Sequence, residues 1–239
     1  MQVAFERRIA PVVAREITAT VRRAADGFNA DGRASPAVSA PDHEARLSRL
    51  IVPAMIATGR AFGMRVLEDA PKGMRLIEVK APRVVFLAAM RRFIETHAAE
   101  RVTRIAGTTR TMIREAIDEG AEDGLGVDQI ARRIVERAGG VIARARAAVI
   151  ARTEVHTAAN VGSTEAAASL GIAGLLKEWI AAEDARTRPA HADADGQQVS
   201  EDESFVVGGE SLAFPGDPAG SAENVINCRC VVGHVVPGL

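Results

Sequence analysis

The sequence contains no tyrosine and a single tryptophan, and aromatic residues make up only 3% of its 239 positions. Few ring faces are therefore available to stack on nucleobases, the usual way of holding single-stranded nucleic acid without reading its sequence. Cysteine is almost missing as well. Cys228 and Cys230 stand one residue apart, so no disulfide framework can staple the fold, and a reducing compartment is expected. Lysine occurs only at Lys72, Lys80 and Lys177, which leaves nearly all positive charge to arginine. No run of about 18 consecutive apolar residues is present, and the first ten residues already carry Glu6, Arg7 and Arg8. Neither a membrane span nor a secretory leader is expected from that pattern. Catalytic signatures are lacking too: there is no serine nucleophile elbow, no HExxH pair and no phosphate-loop lysine. Gly208 and Gly209 lack the following helix that a phosphate cradle requires.

What is present is a chain with 47% hydrophobic residues, enough to build one large core or two modest ones. The net charge of -1 conceals a strong polarity. Between Glu178 and Glu223 there are eleven acidic residues against two basic ones, Arg186 and Arg188, whereas residues 83–152 hold thirteen arginines against nine acids. Guanidinium groups bind phosphates bidentately, which makes this stretch a candidate for nucleic-acid contact. An alanine- and arginine-rich composition is equally the product of a GC-rich genome.

Helical periodicity dominates the first two-thirds. Val3, Ile9, Val13, Ile17 and Val21 predict a helix over 2–23, with Pro11 a kink or boundary. Residues 26–41 have the Gly, Asn, Ser and Pro clustering of a linker. Asp42 is placed as the cap of a helix over 43–68, whose weak points are Pro53, Gly59 and Gly63. The pattern breaks over 71–82, where 75–80 reads as a short strand or extended connection. A long helical region over 83–119 follows, with an interruption near Gly107 and a turn at 122–126. A short helix over 128–137 with Ile130 and Ile134 on one face precedes a last helix over 141–170, for which Gly171 is the left-handed terminator. Beyond it, turn chemistry predicts strands at 175–181, 198–199, 204–207 and 229–235, with Asp195 and Gly196 as a hairpin turn and Pro215 to Pro218 as a rigid turn. The fold class is α+β: mostly helical N-terminal two-thirds, then a small antiparallel β-rich region packed on the last long helix. Three regions are expected, at 1–70 (with the linker 26–41), 71–140 and 141–239.

From residue 151 the chain reads ARTEVHTAANVGSTEAAASLG, then KEWIAAEDARTRPAH, DGQQV, FVVGGE, FPGDP and NCRCVV. The ordered elements are Arg152, Thr153 and Glu154 with Asn160, then Trp179, then Asp184 with Thr187, Arg188 and His191, and finally Asn227, Cys228, Arg229 and Cys230. Over 151–236 this series resembles the signature domain of the tailed-phage Mu F-like head morphogenesis family. The resemblance implies a minor capsid protein of a phage or prophage, associated with the portal and acting in head assembly and DNA packaging or ejection. It implies synthesis in the bacterial host cytoplasm and a place in the virion, inside the capsid near the portal. The portal protein is the implied partner, with the major capsid or scaffolding protein and genomic DNA as further candidate contacts and no membrane. Region 1–70 is the candidate portal or capsid contact. Some family members append a toxin domain after the signature; here it runs almost to Leu239, so no enzymatic activity is expected. The competing reading is a nuclease-like enzyme or a DNA-binding protein inside the head.

Taken residue by residue, Arg152, His156 and Asn160 are spaced four apart and form one polar stripe on a helix. That stripe is expected to clasp the turn-rich tail, with Asp184 accepting a charge-assisted pair from Arg152 or Arg188 and Asn160 bonding strand-edge groups. The catalytic alternative makes His156 or His191 a general base with Glu154 as acid. Glu154, two residues from both Arg152 and His156, points to a different face, so no catalytic residue is assigned. Trp179 is read as core. On a strand, Cys228 and Cys230 face the same side, and three readings stand. They are small buried hydrophobes, or zinc ligands with His191 and one of His234, His156 or Asp184, or a strained disulfide. A structural zinc held by His191, Cys228 and Cys230 is the one cofactor considered.

Overall fold

The computed structural model describes residues 1–31, 40–70 and 82–236. Five helices come first: α1 (Gln2–Asp31), α2 (Ala40–Asp69), α3 (Pro82–Glu122), α4 (Val127–Ala138) and α5 (Gly140–Ala168). The rest is β1 (Leu176–Ile180), α6 (Pro189–Asp193), β2 (Gln198–Ser200), β3 (Phe205–Val207), β4 (Glu210–Leu212), α7 (Ala222–Val225) and β5 (Val231–Val235). This is the α+β arrangement that the periodicities predict.

Several boundaries differ from the expected ones. The linker placed at 26–41 begins too early, because α1 continues through Gly27 and Asn29 to Asp31. Ala24, Ala25 and Phe28 are buried there, and that packing outweighs the poor helix propensity of glycine and asparagine. Residues 32–39 and the strand placed at 75–80 lie outside the described residues. Pro11 sits inside α1 and Pro53 inside α2, so neither ends its helix. Asp42 lies in the first turn of α2, and the helix starts at Ala40, so the cap assigned to Asp42 is displaced. Gly107 does not interrupt α3. On its two sides Ala106 and Thr109 are fully buried, and Thr109 Oγ1 donates back to the Ile105 carbonyl, so packing carries the helix across the glycine.

The chain divides into two compact units. One comprises Val3–Pro53 and Thr96–Ala151. Its buried apolar residues include Val13, Ile17, Val21, Leu47, Ile51, Val102 and Ile113, together with Ile130 and Ile134 on the inner face of α4. At the start of α4, the Gly126 N–H donates to Gln129 Oε1 at 2.9 Å, which satisfies one of the orphan groups of a helix end. A polar knot lies within this core: Arg46 Nε donates to Glu16 Oε1 at 2.7 Å, and Thr20 Oγ1 donates to the same oxygen at 3.0 Å. Burial alone would raise the Glu16 carboxyl, yet these hydrogen bonds and the charges of Arg46 and Arg23 outweigh it and leave it below its ordinary value.

The other unit comprises Met1–Gln2, Ala54–Glu95 and Arg152–Leu239. Here the glycines that weaken α2 in the sequence have a structural use. A Cβ at Gly162 of α5 would lie 2.2 Å from the Gly59 carbonyl oxygen, and one at Gly63 would lie 2.6 Å from the Gly162 oxygen. The two backbones touch directly, which only glycine permits. By length and composition alone α2 is also apolar enough over Asp42–Asp69 to cross a membrane. This departs from the expectation drawn from uninterrupted apolar runs, because a hydropathy average tolerates interruptions such as Arg60 and Arg65. Gly59 and Gly63 are nonetheless packed against protein.

The β region forms a three-stranded antiparallel sheet in the order β2-β1-β5, with Trp179 opposite Val232 and Lys177 opposite both Val199 and His234. β3 and β4 form a separate hairpin. The hairpin assigned to Asp195 and Gly196 is not there: α6 intervenes between β1 and β2, and Gly196 instead donates to the Trp179 carbonyl at 2.8 Å as the chain enters β2. The true two-residue turn is Gly208 and Gly209, with φ of 58° and 83°, the positive values a primed hairpin turn demands. β4, with three residues, is too short to leave a period-two signal. Trp179, Phe205, Val207, Leu212, Cys228, Cys230 and Val232 make the core of this region.

Candidate functional site

From Thr153 to Val161 every residue of α5 is buried. A helix enclosed on all sides normally reads as apolar all round, yet this one carries Thr153, Glu154, His156, Thr157 and Asn160. Buried polar groups must find partners, and the turn-rich tail supplies them. Arg152 Nη1 donates to Asn227 Oδ1 at 2.8 Å, while the Asn227 N–H donates to Thr153 Oγ1 at 3.2 Å. Asn227 has φ of 61°, a left-handed conformation that asparagine tolerates better than most residues. Arg188 Nη2 donates to the Ile226 carbonyl at 2.6 Å. The α5 segment therefore reaches Asn227, which opens the NCRC motif, and Arg188 reaches Ile226 immediately before it.

Asn160 makes the central connection. Its Oδ1 accepts from the Val232 N–H at 3.0 Å, and its Nδ2 donates to the Pro215 carbonyl at 2.9 Å. One side chain thereby joins α5 to β5 and to the turn at Pro215. Thr157 Oγ1 donates to the Gly216 carbonyl at 2.8 Å on the same turn. Asp217 stiffens it by accepting from the Ala213 and Ala219 N–H groups at 2.8 and 2.9 Å. Gly216 has φ of 84°, and a Cβ there would fall 2.7 Å from His156 Cδ2.

His156 has no exposed surface, and its Nε2 lies 3.1 Å from Asn160 Nδ2. Burial pushes its pKa down to about 3, with smaller electrostatic contributions from the neighbouring His191 and Arg229. A neutral, enclosed imidazole of this kind serves packing and hydrogen bonding. Asp184 does not play the part expected of it. Its carboxylate closes its own turn, accepting from the Arg186 N–H at 2.9 Å and pairing with Arg186 Nη2 at 3.1 Å, while Arg152 and Arg188 reach Asn227 and Ile226. A four-residue loop satisfies the carboxylate locally at less entropic cost than a distant guanidinium would.

The most chemically distinctive group is His191 with Cys228 and Cys230. His191 is on α6, the cysteines lie just before β5, and all three are buried. His191 Nδ1 is 3.6 Å from Cys228 Sγ and 3.4 Å from Cys230 Sγ. Both thiols are free, so the disulfide alternative does not hold. On the far side of the ring, His191 Nε2 lies 3.3 Å from Asn224 Oδ1. Trp179 packs edge-on against the imidazole with ring centroids 5.4 Å apart, and it packs in the same way on Phe205. The fourth positions considered for His156 and His234 are not adopted. His156 is engaged by Asn160, and His234 faces Glu201 at 3.4 Å.

Sequence reasoning passed over Asn224, Thr157, Asp217 and Lys177. Lys177 is 2% exposed and donates to the Glu203 and Ala213 carbonyls at 2.7 and 3.1 Å. Nothing in a turn-rich stretch distinguishes Asn224 before α7 is seen. Thr157 could have been found, because it follows Thr153 by one helical turn.

Residues 111–233, just over half of the chain, match the family described as Phage Mu protein F like protein. The chain is 33% identical over 186 residues to "Minor head protein GP7" of Bacillus phage SPP1, covering 76% of this chain and 54% of that protein. It is 39% identical over 93 residues to "NAD(+)--arginine ADP-ribosyltransferase EFV" of Enterococcus faecalis (strain ATCC 700802 / V583), covering 38% of this chain and 19% of that protein. It is 29% identical over 132 residues to "Uncharacterized protein YqbB" of Bacillus subtilis (strain 168), covering 54% of this chain and 42% of that protein. The chain thus spans about half the length, or less, of the curated relatives it matches. No solved structure matches it. With the family match reaching from within α3 through nearly all of β5 and enclosing the whole bonded cluster of Arg152, Asn160, Asn227 and the paired cysteines, the chain belongs to the Phage Mu protein F like protein family.

Proposed function

We propose that the protein is a minor head component of a tailed phage or prophage and works in head assembly as a structural protein. One observation carries this reading: the signature side chains of α5 bond to the chain's own tail. Asn160 is consumed by Val232 and Pro215, Thr153 and Arg152 by Asn227, and Thr157 by Gly216. A reaction centre needs polar groups aimed at an open cleft, whereas here Thr153, Thr157 and Asn160 are buried and all of these groups bond to the chain's own tail. The match to a minor head protein supports the same reading. The match covers only 19% of the ADP-ribosyltransferase, so the activity in that protein's name does not carry over to this chain.

In the same proposal the helical region 1–70 contacts the portal or the inner shell, the protein sits inside the head near the portal, and 141–239 is the assembly domain. Arg114, Arg132 and Arg144 are exposed on α3, α4 and α5 and are the side chains best placed to touch packaged DNA. Contacts of that kind weaken steeply with salt. Mass spectrometry of particles made by the phage or prophage that encodes the chain tests the central claim. A few copies per particle are expected, captured together with the portal protein. Absence from both mature and immature particles refutes it.

A further inference from the structure

We propose that His191, Cys228 and Cys230 form a binding site for one thiophilic divalent cation of the zinc class, with a solvent molecule in the fourth position. The ligand atoms of the three residues lie within 4.8 Å of one another. A tetrahedral zinc with bonds of about 2.3 Å to sulfur and about 2.0 Å to nitrogen separates nitrogen from sulfur by roughly 3.6 Å. The measured separations are 3.6 and 3.4 Å, which are the edges of such a tetrahedron.

Hydrogen bonding alone accounts for the arrangement less well. A neutral imidazole nitrogen has one lone pair, so one thiol donates to it and the other is left with the neighbouring sulfur, a weak acceptor. A cation at the centre of the triangle satisfies all three groups together. The tautomer is already set for this. Asn224 Nδ2 donates to the Val207 carbonyl at 3.3 Å, which turns Oδ1 toward His191 Nε2. Nε2 must then carry the proton, and the Nδ1 lone pair points at the sulfurs. An outer partner that orients a ligating histidine in this way is the usual second layer of a metal site.

Spacing and space fit as well. Although zinc motifs commonly place two or more residues between cysteines, here the third ligand arrives from α6 and the extended segment lets alternate residues face one way. A cavity of about 10 Å³ adjoins the three side chains and is bordered by Asp184, Thr187 and Asn227. That volume suits a single water molecule. Cys228 and Cys230 follow Asn227 directly, and His191 follows Arg188 by three residues. A bound cation therefore ties the α6 segment, whose Arg188 reaches the Ile226 carbonyl, to the Asn227 segment, which grips α5 through Arg152. A small β region with one tryptophan gains stability from such a staple.

The test is a titration of the full-length, reduced, metal-stripped protein with cobalt(II), followed by absorption and by Trp179 fluorescence. One equivalent is expected to produce thiolate-to-cobalt charge-transfer bands and intense tetrahedral d–d bands, to quench Trp179 and to be displaced by zinc. Asn224→Ala should weaken binding about 10- to 100-fold by releasing the imidazole. Cys230→Ser should abolish the charge-transfer intensity expected of two thiolates. Should a serine variant fail to fold, the wild-type titration still decides. A weak octahedral cobalt spectrum, or no binding by wild-type protein of unchanged circular dichroism, overturns the proposal. Retention of full affinity in Asn224→Ala overturns the orienting role.

Discussion

Replacing Asn160 by aspartate changes one atom and should turn the clasp between α5 and the tail into a pH-dependent one. In the native protein Oδ1 accepts from the Val232 N–H at 3.0 Å while Nδ2 donates to the Pro215 carbonyl at 2.9 Å, in a position 3% exposed. An ionised aspartate keeps the first bond but sets a carboxylate oxygen against the Pro215 carbonyl, with the Cys230 and His156 carbonyls also close at 3.4 and 3.3 Å. Leaving buried groups unsatisfied costs about 1–3 kcal/mol each, so two lost partners imply roughly 2–6 kcal/mol at pH 8. That is a large part of the 5–15 kcal/mol typical of a domain. A protonated aspartic acid, however, can donate to Pro215 and accept from Val232 as asparagine does. Burial without a cation raises its folded pKa, so the variant's stability relative to wild type is retained below the unfolded value of about 4 and lost as pH rises toward the folded pKa, by about 1.4 kcal/mol per pH unit. Urea unfolding followed by Trp179, the single tryptophan and fully buried in the same region, measures the gap at several pH values. A gap below about 1 kcal/mol at pH 8, or one that does not change with pH, refutes the bonding scheme.

His156 supplies the opposite pH dependence. Its pKa is about 3 when folded against an ordinary 6.5, so the unfolded chain binds the extra proton and stability falls as pH drops through 6.5 toward 3. Between pH 7 and 5 the loss from this residue is about 2 kcal/mol, and it should vanish in His156→Gln when urea midpoints of the two proteins are compared. In α5, Gly162→Ala places a Cβ 2.2 Å from the Gly59 oxygen and should cost at least about 2 kcal/mol by forcing α2 and α5 apart. Gly107→Ala is its control: the nearest atom to the new Cβ is Arg110 Nη2 at 3.8 Å, and the change should stabilise α3 by up to about 1 kcal/mol in thermal unfolding.

The sequence by itself determined the order and type of most elements, because helical and strand periodicities are local and the punctuating glycines act locally too. The last long helix with the left-handed Gly171 just beyond its end, the pair Ile130 and Ile134 on α4, and the strands around Trp179 and Val232 were all legible in this way. So was the ordered signature, since it is a linear pattern. Tertiary structure alone decided the rest. Gly59 and Gly63 read as flaws in a helix until Gly162 is seen against them, because a backbone-to-backbone approach leaves no trace in either segment alone. α1 runs into the stretch that reads as a linker, as far as Asp31, because burial of Phe28 outweighs propensity. Asn224 reached His191 through a contact that depends on short helices too small to have a period. That an imidazole nitrogen lies beside Cys228 and Cys230 likewise depends on where α6 places His191. Such placement is a property of packing among distant segments, and no spacing along the chain encodes it.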